Sequence, residues 1–212
     1  MINVRPWARP LEINEPTYKD ITLEFLSIIK LNQQIITFQA YGQACKYNIE
    51  IIGRALGIYN QEESRHILYG NPPTTWPADM SARDFWNEIK DTSIKEAEIY
   101  NFAHSKASWM KDVDWRVVHH LLAHTIGQKK SSHGVVNASE IFYLYTMTHR
   151  IQIDIGYQVA DFILRQATSY QTKGVYYGGY ITKLLKGLQI FQQPQNDEGV
   201  PSRLISNGPF LH

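Results

Sequence analysis

Apolar residues recur at helical spacing along most of the chain. Over 17–31, Tyr18, Ile21, Phe25, Leu26, Ile28 and Ile29 cover a broad face, which predicts a helix packed on more than one side. Thr17 stands where an N-cap belongs, and Asp20 suits the free amides of the first turn. The pattern changes over 35–47, where IITFQAYGQACKY sets β-branched and aromatic residues around a central glycine. That predicts a small β-hairpin. Asn48 then caps a helix through Leu56, and Gly57 supplies its left-handed exit.

Further helices are predicted at 82–90, opened by Ser81 with Asp84, and less regularly at 94–103. Four more follow at 113–126, at 138–150 with Asn137 as cap and Glu140 in the first turn, at 157–170 and at 179–190. Between them, residues 58–80 contain NPPTTWP and read as an irregular crossing loop. Pro6, Pro10 and Pro16 make 1–16 an extended arm, and 191–212 read as a flexible tail. No repeat or compositional break marks a second domain. The expected fold is mainly α: a single helical domain over 17–190, with about six to eight helices and one hairpin near 35–47.

Composition adds mainly exclusions. Twelve per cent of residues are aromatic, so ring packing must fill much of the core. The formal charge of +1 provides no global field for nucleic acid or an anionic membrane. The second half, from Met110 onward, is only mildly basic. Cys45 is the single cysteine, which rules out an internal disulfide and every multi-thiolate zinc module, and points to a reducing compartment. The N-terminus lacks the pattern of a signal or transit peptide, and no run has the roughly twenty apolar residues of a membrane span. These features predict an intracellular protein, cytoplasmic or nuclear, with no membrane partner.

The segment VVHHLLAH, 117–124, concentrates three of eight histidines. On a helix, Val117, Val118, Leu121 and Leu122 form a stripe about 140° wide, which predicts the core face. His120 and His124 lie about 40° apart on one flank, with His119 on the other. Only His120 and His124 are spaced to share a metal, and Leu121 occupies the position where a helical zinc protease needs its general-base glutamate. A third ligand is not selected by spacing from among His104, His133, His149, Asp112, Asp114 and Glu140. The histidines therefore read as architectural, with a zinc hydrolase on His120 and His124 the outside alternative and no cofactor expected.

Other chemistry is no better supported. Gly178-Gly179 among tyrosines lacks the frame of a phosphate loop, and Cys45 reads as a small packed residue. Nucleic-acid binding rests on Lys129, Lys130, Arg150, Lys183 and Lys186, a scattered set.

The order of motifs is more informative than any one of them. PTYKDITLEFLSIIKL, ITFQAYGQACKYNIEIIGRALGIY, HHLLAHTI, GVVNASEIFYLYTMTHR, IGYQVADFILRQATS and GVYYGGYITKLLKGL follow one another along residues 14–190. Together they resemble the first-open-reading-frame protein, in the Gag position, of plant Athila-type retrotransposons of the gypsy class. The hairpin-helix block is similar to the plant mobile domain. The resemblance implies plant origin, a helical capsid-like or interaction domain and no catalytic residues to carry over. It also implies a truncated or domesticated copy, since neither a zinc knuckle nor a basic tail accompanies the blocks. The resulting expectation is a non-enzymatic protein that binds a host protein or itself as a homo-oligomer, with toxin, antidote or defence roles open to such a copy. The alternative is a Gag-like binder of RNA or single-stranded DNA.

Overall fold

The structure is a computed structural model that describes residues 5–64, 76–126, 133–151, 153–167 and 177–193. The chain divides into two compact units. One comprises residues 1–5 and 73–153, and the other 6–72 with 154–212. Nine α-helices and one three-stranded sheet lie among the described residues, so the mainly α class holds and the hairpin gains a third strand.

In the unit of 6–72 with 154–212, which takes all of it but Arg5, α1 (Arg5–Glu12) occupies the stretch that its prolines mark as an extended arm. Tertiary contacts override propensity here. Trp7 is buried, Arg9 donates to the Ile58 carbonyl and to both Glu63 oxygens, and the Pro10 carbonyl accepts from the Tyr180 hydroxyl at 2.7 Å. Helix α2 (Lys19–Ile28) buries Ile21, Phe25 and Leu26. Tyr18, not Thr17, is its N-cap residue, and no side chain bonds the cap. Thr17 is buried against the start of a later helix instead.

The expected helix to residue 31 stops early because β1 (Lys30–Asn32) begins there. With β2 (Ile35–Ala40) and β3 (Gln43–Asn48) it forms an antiparallel meander in the order β1-β2-β3. Lys30 pairs with Thr37, and Phe38 with Cys45. Tyr41 and Gly42 both have positive φ, the conformation of a two-residue turn matched to strand twist. Glu24 of α2 accepts from both turn amides, and Phe25 meets the Phe38 ring at 4.4 Å.

Asn48 caps α3 (Ile49–Ala55), and Gly57 has φ +74° beyond it, as the sequence predicts. The one-turn α4 (Gln61–Ser64) falls within the expected loop, closed by reciprocal bonds between Asn60 and Glu63. The rest of that loop, 65–75, lies outside the described residues.

The other unit contains α5 (Ala82–Ile89), α6 (Val113–His124) and α7 (Ala138–His149). Ser81 with Asp84 and Asn137 with Glu140 form capping boxes at the predicted starts of α5 and α7. The helical piece expected at 94–103 is reduced to a 3-10 turn, Lys95–Ala97. Trp86 is fully buried and donates to the Ala97 carbonyl at 2.8 Å, which anchors that turn. Trp76, Phe85, Phe142 and Tyr145 form one ring cluster, with Trp115 edge-on to Phe85. Helix α7 buries every position from Glu140 to Met147.

Helices α8 (Ile155–Ala167) and α9 (Gly178–Gly187) complete the unit of 6–72 with 154–212, both packing on α3. Gly187 lets α9 approach the α3 backbone, since a Cβ there would lie 2.0 Å from the Ala55 carbonyl oxygen. Asp154 caps α8 from a buried position. Its Oδ1 accepts from the Tyr157 amide at 2.9 Å and the Tyr59 hydroxyl at 3.0 Å, and Tyr59 in turn accepts from the Gly156 amide. Burial pushes the Asp154 carboxyl above the usual carboxylate range. Phe191 and Gln192 are docked, with Gln192 bonded to Tyr41 and the Phe191 ring 5.2 Å from Tyr18. The remainder of the expected tail lies outside the described residues. No described helix is long and apolar enough to cross a membrane.

Candidate interaction face on the histidine helix

Helix α6 is set by Asp112, whose side chain accepts from the Asp114 amide, and by Arg116, which donates twice to the Met110 carbonyl. Its buried face is Trp115, Val118, His119, Leu122 and Ala123. The expected core stripe of Val117, Val118, Leu121 and Leu122 is therefore only half right. Val118 and Leu122 point inward, whereas Val117 is 53% exposed and Leu121 43%. With Val113, 62% exposed, these two form an outward apolar row at spacings of four. The large ring of Trp115 and the buried Ile126 rotate the helix toward their own line. A stripe read only within VVHHLLAH contains neither.

The histidines separate by environment. His119 is buried, and its Nε2 donates to Glu140 Oε2 at 3.0 Å. The same oxygen accepts from the Asn137 amide at 2.9 Å, so one carboxylate both closes the α7 cap and satisfies the imidazole. This places His119 in the core, where the sequence predicts a flank.

His120 and His124 are exposed and share a flank as predicted, with ring centroids 3.9 Å apart. His133 stacks on His124 at 4.3 Å. The His124 ring donates from Nδ1 to the His120 carbonyl at 2.8 Å. Partial desolvation, then the charges of His124, His133 and His119, hold the His120 imidazole below its ordinary value. The His124 and His133 rings are stacked, with 16° between their planes, and the His120 ring is tilted 39° from that of His124. Among the described residues no group of three or more His, Cys, Asp or Glu is arranged to hold a metal ion.

Arg150 sits at the left-handed C-cap of α7 in one unit, and Lys183 and Lys186 lie on α9 in the other. Lys186 pairs with Glu15 at 2.7 Å, and Lys183 approaches the same carboxylate at 3.9 Å. Lys129 and Lys130 lie outside the described residues. Cys45 is half-buried, and burial followed by the Glu24 charge pushes its thiol up, away from thiolate reactivity. The feature that sequence reasoning missed is the outward row of α6. No family model, curated relative or solved structure matches the chain.

Proposed function

We propose that this protein is a non-enzymatic interaction module of retroelement descent that acts by binding a second protein chain, its own or a host's, through the outer face of α6. The observation that carries this reading is the row Val113, Val117 and Leu121. Its side chains are exposed on a helix whose opposite face is fully packed. Scattered surface apolar residues are ordinary, but an aligned row spanning two turns of one helix is the pattern by which helices recognise helices. The flanking His120 and Asp114 supply a polar rim of the kind interfaces use for register.

The test compares the wild type with Val117→Glu/Leu121→Glu by light scattering on purified protein and by affinity capture from plant extract. Both positions are exposed, so the variant should keep the wild-type melting curve. At least one association, homotypic or heterotypic, is expected in the wild type and absent from the variant. A monomeric wild type whose captured proteins are all retained by the variant refutes the proposal.

A further inference from the structure

We infer that the α6 face pairs with a second copy of itself, in a two-fold crossed-helix dimer that sets Asp114 of each copy against His120 of the other. The inference rests on the α6 face being the contact surface, and it names the occupant.

Residues four apart lie along a ridge inclined about 26° to a helix axis, and two such ridges interdigitate at a crossing angle of about −50°. Val113, Val117 and Leu121 are one ridge, with Val117 at its centre. Asp114 and His120 are three residues before and after Val117, so they lie about 4.5 Å to either side of it along the axis. At about 100° per residue they flank the ridge on opposite sides, each about 60° from its mid-line. Both are exposed. The face is therefore apolar along its centre, acidic at one corner and imidazole-bearing at the diagonally opposite corner.

Two symmetric pairings of this ridge exist. A two-fold axis parallel to the ridge and just beside it exchanges the corners, bringing each Asp114 carboxylate near the other copy's His120, where the imidazole can donate to it in two equivalent contacts. An axis across the ridge sets Asp114 against Asp114 and His120 against His120, which is repulsive at one end and unpaired at the other. Charge complementarity thus selects the first arrangement and a second copy as occupant, because one sequence supplies both halves of the match. Three apolar side chains per copy cover less area than stable dimers bury, so the association is weak, with a dissociation constant in the range of about 10–500 μM.

Single cysteines in a Cys45→Ser background, joined by a short bis-maleimide, read out the arrangement. Val113→Cys and Leu121→Cys should each cross-link to themselves, and an equimolar mixture should give no excess of the mixed product. Asp114→Lys and His120→Glu should each weaken dimerisation about fivefold by light scattering, and the double variant should recover most of it. A dominant mixed Val113→Cys/Leu121→Cys product, or charge variants whose effects simply add, overturns the pairing. So does a wild type that is monomeric at about 1 mM. If that monomer still captures a different protein that Val117→Glu/Leu121→Glu loses, the self-pairing fails while the interaction reading stands. If dimers form but ignore both substitutions, the assignment of α6 fails as well.

Discussion

Replacing Gly187 by alanine tests the packing of α9 on α3 at its closest point. The added Cβ would lie 2.0 Å from the Ala55 carbonyl oxygen and 2.6 Å from its carbonyl carbon. A carbon approaches a carbonyl oxygen comfortably at about 3.3 Å, so the helices must separate locally by about 1.3 Å. Neither contacting atom belongs to a side chain that can rotate away. A gap of 0.5–1 Å forfeits about a quarter to a half of each contact's dispersion energy, and overpacking of this kind costs about 1–3 kcal/mol. Alanine's better helix propensity returns less than about 1 kcal/mol, because Gly187 is the last residue of α9. The net loss expected is about 2 kcal/mol. Urea denaturation followed by circular dichroism measures it, and hydrogen exchange should place the lost protection in the unit of residues 6–72 and 154–212. That unit also holds a single tryptophan, Trp7, whose emission reports on it when the other four are replaced by phenylalanine. Gly134→Ala is the control, since nothing lies within 4 Å of its added carbon. A Gly187→Ala protein within about 0.5 kcal/mol of wild type would refute the packing argument.

Three further substitutions probe buried polar groups and a cap. Asp154 has a folded-state pKa raised by burial, so its protonated form is favoured on folding. Stability from this source is complete below the unfolded value of about 3.9 and falls as pH rises through the folded value. Relative to wild type, Asp154→Asn should therefore gain stability as pH rises above about 4, the unfolded value, and a pH-independent difference in urea midpoints would exclude the effect. His119→Ala removes a buried donor from the buried Glu140 carboxylate and should cost about 3 kcal/mol in the same assay, against about 1 kcal/mol or less for exposed His124→Ala. Asn137→Ala should cost about 1 kcal/mol by loss of its bond from the Glu140 amide, measured by thermal melting; no change would mean the capping box is dispensable.

Elements signalled by local chemistry were legible in the sequence. Asn48, Ser81 with Asp84, and Asn137 with Glu140 act within three residues of themselves, and each starts a helix where it predicts one. Elements held by distant partners were not. Helix α1 depends on Ile58, Glu63 and Tyr180, far along the chain, while its own composition argues against a helix. Strand β1 is three residues long, too short to show alternation, and exists because Thr37, Ile36 and Ile35 pair with it. Thr17 has the chemistry of a cap but is buried against the N-terminal glycine of α9.

The histidine helix shows why the candidate face was the hardest feature to read. Periodicity fixes which residues share a face, but two apolar stripes compete on α6, and hydrophobicity alone does not choose between them. The choice falls to Trp115, which meets Phe85 edge-on, and to Glu140, which gives His119 a buried partner. Both contacts come from other helices of the same unit. A polar residue is thereby drawn inward, and two aliphatic residues are left outside. The inversion is informative because it opposes the hydrophobic trend: with the interior already satisfied by an imidazole, Val117 and Leu121 keep about half of their surface in water. Their apolar surface lowers free energy only when another surface covers it. A His119→Leu/Glu140→Leu protein separates the two roles, since it should keep the outward row and its associations while losing the buried hydrogen bond. If the double variant instead loses association without unfolding, the inward imidazole shapes the face, and the two sides of α6 are not independent.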